Sequence, residues 1–151
     1  MVNQGHTALF SVAAAGSPTL NYQWRRHGTN LVGETAATLS IVNIQAADDA
    51  PYDVVVSNPA NSITSSIVTL DVLLPSTVTW ADPGNLTYGT ALSATQLNAS
   101  AAVPGTITYG QAIGTILPAG SHTLSLNFVP NDTAVYLPTN STVNLTVVGA
   151  P

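Results

Sequence analysis

Three aspartates, Asp48, Asp49 and Asp53, crowd the stretch "ADDAPYDVVVSN". Grouped carboxylates are what a hard cation such as calcium takes as ligands, so a calcium site is one reading. The regular D-x-[DN]-x-[DN]-G loop is missing, however. The competing reading is structural, with Asp48 capping a turn and Asp53 facing water beside Tyr52. Nothing in the pattern sets two acids across a cleft, as paired catalytic carboxylates require. His6, His27 and His122 stand far apart, without the converging spacing of a metal-ligand set. They read as solvated residues of turns and strand starts, with His27 and Gly28 closing a hairpin. Arg25 and Arg26 are the whole cationic inventory, since lysine is absent. Pairing either with a surface acid would add little stability, and the two make no anion site.

Aromatic side chains offer a different chemistry. Sugar-binding sandwiches present exposed rings to the faces of sugars, and Trp80, Tyr88, Tyr109 and Tyr136 are candidate ligand contacts of that kind. Against this, Trp80 shares a strand face with Val78, and Tyr109 with Ile107, which is how core residues alternate. Asn85, Asn98, Asn131, Asn140 and Asn144 each open an N-x-[ST] triplet, which arises easily by chance in a Thr- and Asn-rich chain. "LPTNS" lacks the Thr-Gly pair and apolar tail of a sortase signal. No nucleophile–base pair is visible, so no catalytic residue, cofactor or metal is assigned, and the chain reads as a non-enzyme.

Composition narrows the class further. Charged residues make up 6% of 151 residues, far below the usual quarter, and the net charge is −5. Such a chain has no basic patch to neutralise phosphates, so nucleic acid is not an expected partner. Cysteine is absent, which removes disulfides and thiolate chemistry and leaves stability to packing. The longest apolar run, "SIVTLDVLLP", carries Asp71 and ends in Pro75, well short of the ~20 residues that span a bilayer. Membrane insertion is therefore not expected. No basic-plus-apolar leader opens the chain, which reads as a piece of a larger protein with Met1 supplied for expression.

The elements that must position these residues are short strands. Period-2 alternation sets Ala8, Phe10, Val12 and Ala14 on one face, and Leu20, Tyr22 and Trp24 on another. Leu39 with Ile41, Tyr52 with Val54 and Val56, and Val68 with Leu70 and Val72 follow the same rule. Turn chemistry in "AAGSP", "RHGTN" and "SNPAN" separates them. After the short junction "LLPST", Leu124, Leu126 and Phe128 alternate with polar neighbours, as do Val143, Leu145 and Val147. "ALSATQLNASA", "GTITYG" and "GTILP" read as further strands. The predicted fold is all-β, with two sandwich domains at 1–73 and 74–151.

Gly5, Phe10 and Val12, then Trp24, then "LSIVNIQAADDAPYDVVVSN" resemble the immunoglobulin-like modules of bacterial surface and secreted proteins. The resemblance implies that Trp24 is the core tryptophan of strand C and that Asp48 and Tyr52 form the tyrosine corner. It places Val12 and Val54 at the two cysteine positions. A 12–54 bridge would contribute roughly 4 kcal/mol in the chain-entropy model. Two buried valines offset it with about 1.5–3 kcal/mol each. The chain also begins too late for a full first strand, which predicts an unpaired edge.

The second half carries Tyr88-Gly89-Thr90, Gln96-Leu97-Asn98-Ala99, Gly105-x3-Tyr109, Gly114-x2-Leu117-x2-Gly120 and Phe128-x-Pro130-x-Asp132-x3-Tyr136. These resemble a second group of bacterial immunoglobulin-like repeats. The resemblances imply two tandem Ig-like antiparallel β-sandwiches from a long secreted or cell-surface bacterial protein. The implied role is that of a structural spacer, with adhesion a property of the parent. Expected partners are the neighbouring domains, a glycan or another surface protein, and the expected state is monomeric. The alternative role is a carbohydrate-binding accessory module of an extracellular enzyme.

Overall fold

A computed structural model describes residues 1–149. The chain is all-β apart from a single 3-10 turn at Ala46–Asp48 among the described residues. Its contacts divide it into two compact units, Met1–Leu74 and Pro75 onward.

The first unit contains β1 (Val2–Asn3), β2 (Ala8–Ser11), β3 (Asn21–Arg26), β4 (Thr29–Asn30), β5 (Thr38–Ile41), β6 (Ala50–Ser57), β7 (Ser62–Thr64), β8 (Val68–Leu70) and β9 (Val72–Pro75). One sheet runs β4-β3-β6, with β7 and β8 in succession along the far edge of β6. The opposing sheet is the antiparallel pair β2-β5, while β1 runs parallel to β9. His27 and Gly28, both at positive φ, close the β3–β4 hairpin, a turn whose handedness matches strand twist. Trp24 faces Val54, and Tyr22 faces Val56, so the alternating apolar residues of β3 and β6 share the inner face. They pack with Leu39, Ile44 and Leu70 into one core.

Some residues expected on that inner face are not enclosed, and Ala14 among them is exposed. Val54 is 1% exposed, but its counterpart Val12 is only half-buried. Val68 lies opposite the buried Tyr52 yet is 52% exposed. Val12 and Val68 both border an open hollow beside Phe10 and Trp24, which leaves them partly uncovered. The pairing of β6 also slips by one residue between Tyr52↔Val68 and Val55↔Thr64. The extra residue is a bulge at Ser65–Ile67, held where the Val54 N–H donates to Ser65 Oγ at 3.1 Å.

The second unit contains β10 (Val78–Thr79), β11 (Leu86–Thr87), β12 (Ser100–Ala101), β13 (Gly105–Tyr109), β14 (Gly120–Pro130), β15 (Tyr136–Leu137) and β16 (Thr139–Val148). Its main sheet is ordered β11-β16-β14-β13, and β10 pairs with β12. Leu124, Leu126 and Phe128 of β14 and Val143, Leu145 and Val147 of β16 fill the core with Trp80, Leu92 and Leu97. The polar residues between them form an outer face, where Asn127 donates to Asn140 at 2.8 Å. His122, expected at a turn or strand start, is the third residue of β14 and approaches the Pro118 carbonyl at 2.7 Å. The middle of "ALSATQLNASA" is a turn and not a strand. Gln96 Oε1 accepts from the Ser93 N–H and hydroxyl, and the Gln96 and Leu97 N–H groups return to the Ser93 carbonyl. Local side-chain bonds of this kind compete with a ladder.

Candidate functional site

The acidic cluster resolves into three separate structural contacts. Asp48 Oδ2 accepts the Gln45 N–H at 2.9 Å, closing the 3-10 turn as a capping box. Its Oδ1 takes Arg26 at 3.1 Å. Asp49 Oδ2 accepts the Val72 N–H at 2.9 Å, which ties this turn to β9. Asp53 is buried against Arg25, whose Nε and Nη2 reach its two oxygens at 2.7 and 2.8 Å. The expectation that Asp53 faces water is thereby corrected. It sits directly across the ladder from Arg25, where a bidentate fork covers it. The Asp53 hydrogen bond holds the Arg25 guanidinium above its ordinary range. Among the described residues, no three His, Cys, Asp or Glu side chains gather as a metal site.

Tyr52 forms the corner with Asp48 that the immunoglobulin-like resemblance implies. Its hydroxyl donates to the Asp48 carbonyl at 3.1 Å, and its ring stacks on Phe10 at 5.2 Å between centroids. Burial pushes the phenol above its ordinary value, partly opposed by the neighbouring Arg26. Trp24 packs 6.1 Å from the same Phe10 and donates its indole N–H to Ala36 O at 2.9 Å.

The four aromatic candidates of the second unit occupy different settings. Trp80 is 9% exposed, donates its indole N–H to Gln96 O at 2.9 Å, and meets Tyr109 edge-on at 5.3 Å. Tyr109 accepts the Ala99 N–H on its hydroxyl at 2.8 Å. Both act as core supports of the segment 96–99, and Tyr136 is half-buried on β15. Tyr88 alone of the four is exposed, at 54%.

A recess lies instead in the first unit. A groove of about 530 Å³ runs between Val12–Gly16 on one wall and Ser57–Ser65 on the other, floored by Leu20 and Val56. It continues, through Val12, Ala13 and Ser65, into a hollow of about 270 Å³ above Phe10 and Trp24. Except for Asp53, which faces Arg25, no lining residue carries a charge. The sequence alone did not reveal this groove. Its signal was the run "AAAG", whose small side chains leave space that larger ones would fill.

Residues 1–72 match the Immunoglobulin I-set domain family model. Among solved structures, a three-Ig fragment of titin, in an E-to-A mutated variant, aligns over 100% of this chain and 62% of its own. The identity is 15% and the TM-score 0.61. An I-band fragment of titin aligns over 99% of this chain and 62% of its own, at 16% identity and TM-score 0.62. The N-terminal four Ig domains of a Dscam1 isoform align over 97% and 42%, at 14% identity and TM-score 0.52. The chain thus spans less than two thirds of the length of these structures. At such identities the likeness speaks to the fold, which is that of the immunoglobulin sandwich. No curated protein matches the sequence.

Proposed function

We propose that this chain is a non-catalytic structural segment of a large secreted or cell-surface bacterial protein. In this reading two Ig-like domains, 1–73 and 74–151, space and stiffen the parent chain, and adhesion belongs to the parent. The observation that carries it is the alignment of the whole chain with a multi-Ig fragment of titin, alongside two units that each have their own core. The side chains able to do chemistry support it too. Asp48, Asp49, Asp53, Trp80 and Tyr109 all hold backbone or neighbouring side chains in place. A sugar platform needs at least two exposed coplanar rings, and Tyr88 is the single exposed ring of its four candidates, so glycan binding is not advanced.

Force spectroscopy tests the spacer role. A chain pulled by its ends should show two unfolding peaks, each releasing roughly 25 nm, since an extended residue spans about 3.5 Å. Smooth extension without a resolved peak would overturn a load-bearing role.

A further inference from the structure

Five of the six asparagines in residues 75–151 open an N-x-[ST] triplet, and none of the six in residues 1–74 does. Serine and threonine fill 19 of the 77 residues from 75 to 151. At that frequency chance would open about one or two such triplets. The fold then sets all five asparagines outward. Asn85 precedes β11, Asn98 precedes β12 and Asn131 follows β14, while Asn140 and Asn144 lie on β16. Each is exposed, and so are the paired hydroxyl residues Thr87, Ser100, Thr133, Thr142 and Thr146. At Asn85 and Asn144, strand alternation achieves this by burying the intervening Leu86 and Leu145. Among the described residues, none of the five Nδ2 groups donates a hydrogen bond. Asn140 and Asn144 are engaged through Oδ1 alone, accepting from Asn127 at 2.8 Å and from the Thr123 hydroxyl at 3.3 Å. The same unit is short of charge, since Asp82 and Asp132 are the only Asp, Glu, Lys or Arg in residues 75–151. A soluble domain surface ordinarily draws roughly a quarter of its residues from those four types.

We propose that the second unit carries N-linked glycans on Asn85, Asn98, Asn131, Asn140 and Asn144, which hydrate a surface that charge does not. Such glycans are bulky, solubilising and confined to surface sites. Their addition rests on the secreted or cell-surface reading above, because the transferase and its activated sugar come from the exporting cell. In the transfer, Asn Nδ2 bonds to the anomeric carbon of a diphosphate-activated sugar. The bond from that carbon to the phosphate oxygen breaks, the diphosphate leaves with the electron pair, and the amide gives up one proton. Asn140 and Asn144 stand about 13 Å apart at the ordinary rise of a strand, so both can be occupied.

The test is export of the full chain, behind a cleavable leader, from a cell whose transferase reads N-x-[ST]. Peptide N-glycosidase in heavy-oxygen water then turns each glycosylated asparagine into a labelled aspartate. Mass spectrometry locates the label against an enzyme-free control. Label is expected at three or more of the five positions. Replacing the hydroxyl residue of a labelled triplet, as in Thr87→Ala or Thr133→Ala, should remove label from its own asparagine alone. Those hydroxyl residues are exposed, so the fold survives the change. Label at two or fewer positions, in exported or retained chain, would overturn the proposal. So would label that persists after the alanine change. A labelled chain that the cell retains would support the acceptor sites and count against the secreted reading alone.

Discussion

At Tyr52 a single hydroxyl joins the 3-10 turn at Ala46–Asp48 to the core, through its 3.1 Å bond to the Asp48 carbonyl. Tyr52→Phe should cost about 1 kcal/mol in a urea titration at neutral pH, the net worth of one hydrogen bond. The pH dependence has a definite sign. Burial raises the folded phenol above its ordinary value of 10.0, so the folded chain keeps it neutral where the unfolded chain ionises. Its contribution is present below about pH 10 and is lost as pH rises through the folded pKa. Wild-type stability should therefore fall more steeply than that of Tyr52→Phe in alkaline titration, and parallel curves would contradict this. The valines differ in the same way. Val54→Ala removes two buried methyl groups and should cost about 2 kcal/mol. Val12→Ala should cost less than about 1 kcal/mol, because Val12 already borders open space. Equilibrium denaturation of the two variants checks both values.

Elements of the second unit depend on close approach. A Cβ at Gly105 would stand 2.5 Å from the Phe128 ring and from the Val129 carbonyl, neither of which can yield in a packed ladder. Gly105→Ala should destabilise the chain by roughly 1–3 kcal/mol through overpacking, measured by urea unfolding. The strands themselves were legible where alternation was strong. Tyr22 and Trp24, Tyr52, Val54 and Val56, and Leu124, Leu126 and Phe128 all face inward as their spacing predicts. Legibility failed where a local bond competed with the ladder. Ser93 and Gln96 turn the chain on themselves, and a bulge at Ser65–Ile67 leaves no mark in an otherwise alternating run. The partner of Asp53 was hidden for another reason. An ion pair 28 residues apart depends on register, which periodicity does not fix.

At the scale of the whole chain, the groove of the first unit was only half legible. The run "AAAG" marks its small side chains, but its apolar floor appears only when Val12, Leu20 and Val56 are brought together. The chain is organised as two units, each with its own core. Differential scanning calorimetry of the full chain with Leu39→Ala and, separately, Leu124→Ala tests it most directly. Both leucines are fully buried, one in each core, and each substitution should cost about 2–5 kcal/mol. Two transitions are expected, with Leu39→Ala lowering one and Leu124→Ala lowering only the other. A single transition that either substitution shifts as a whole would contradict the account.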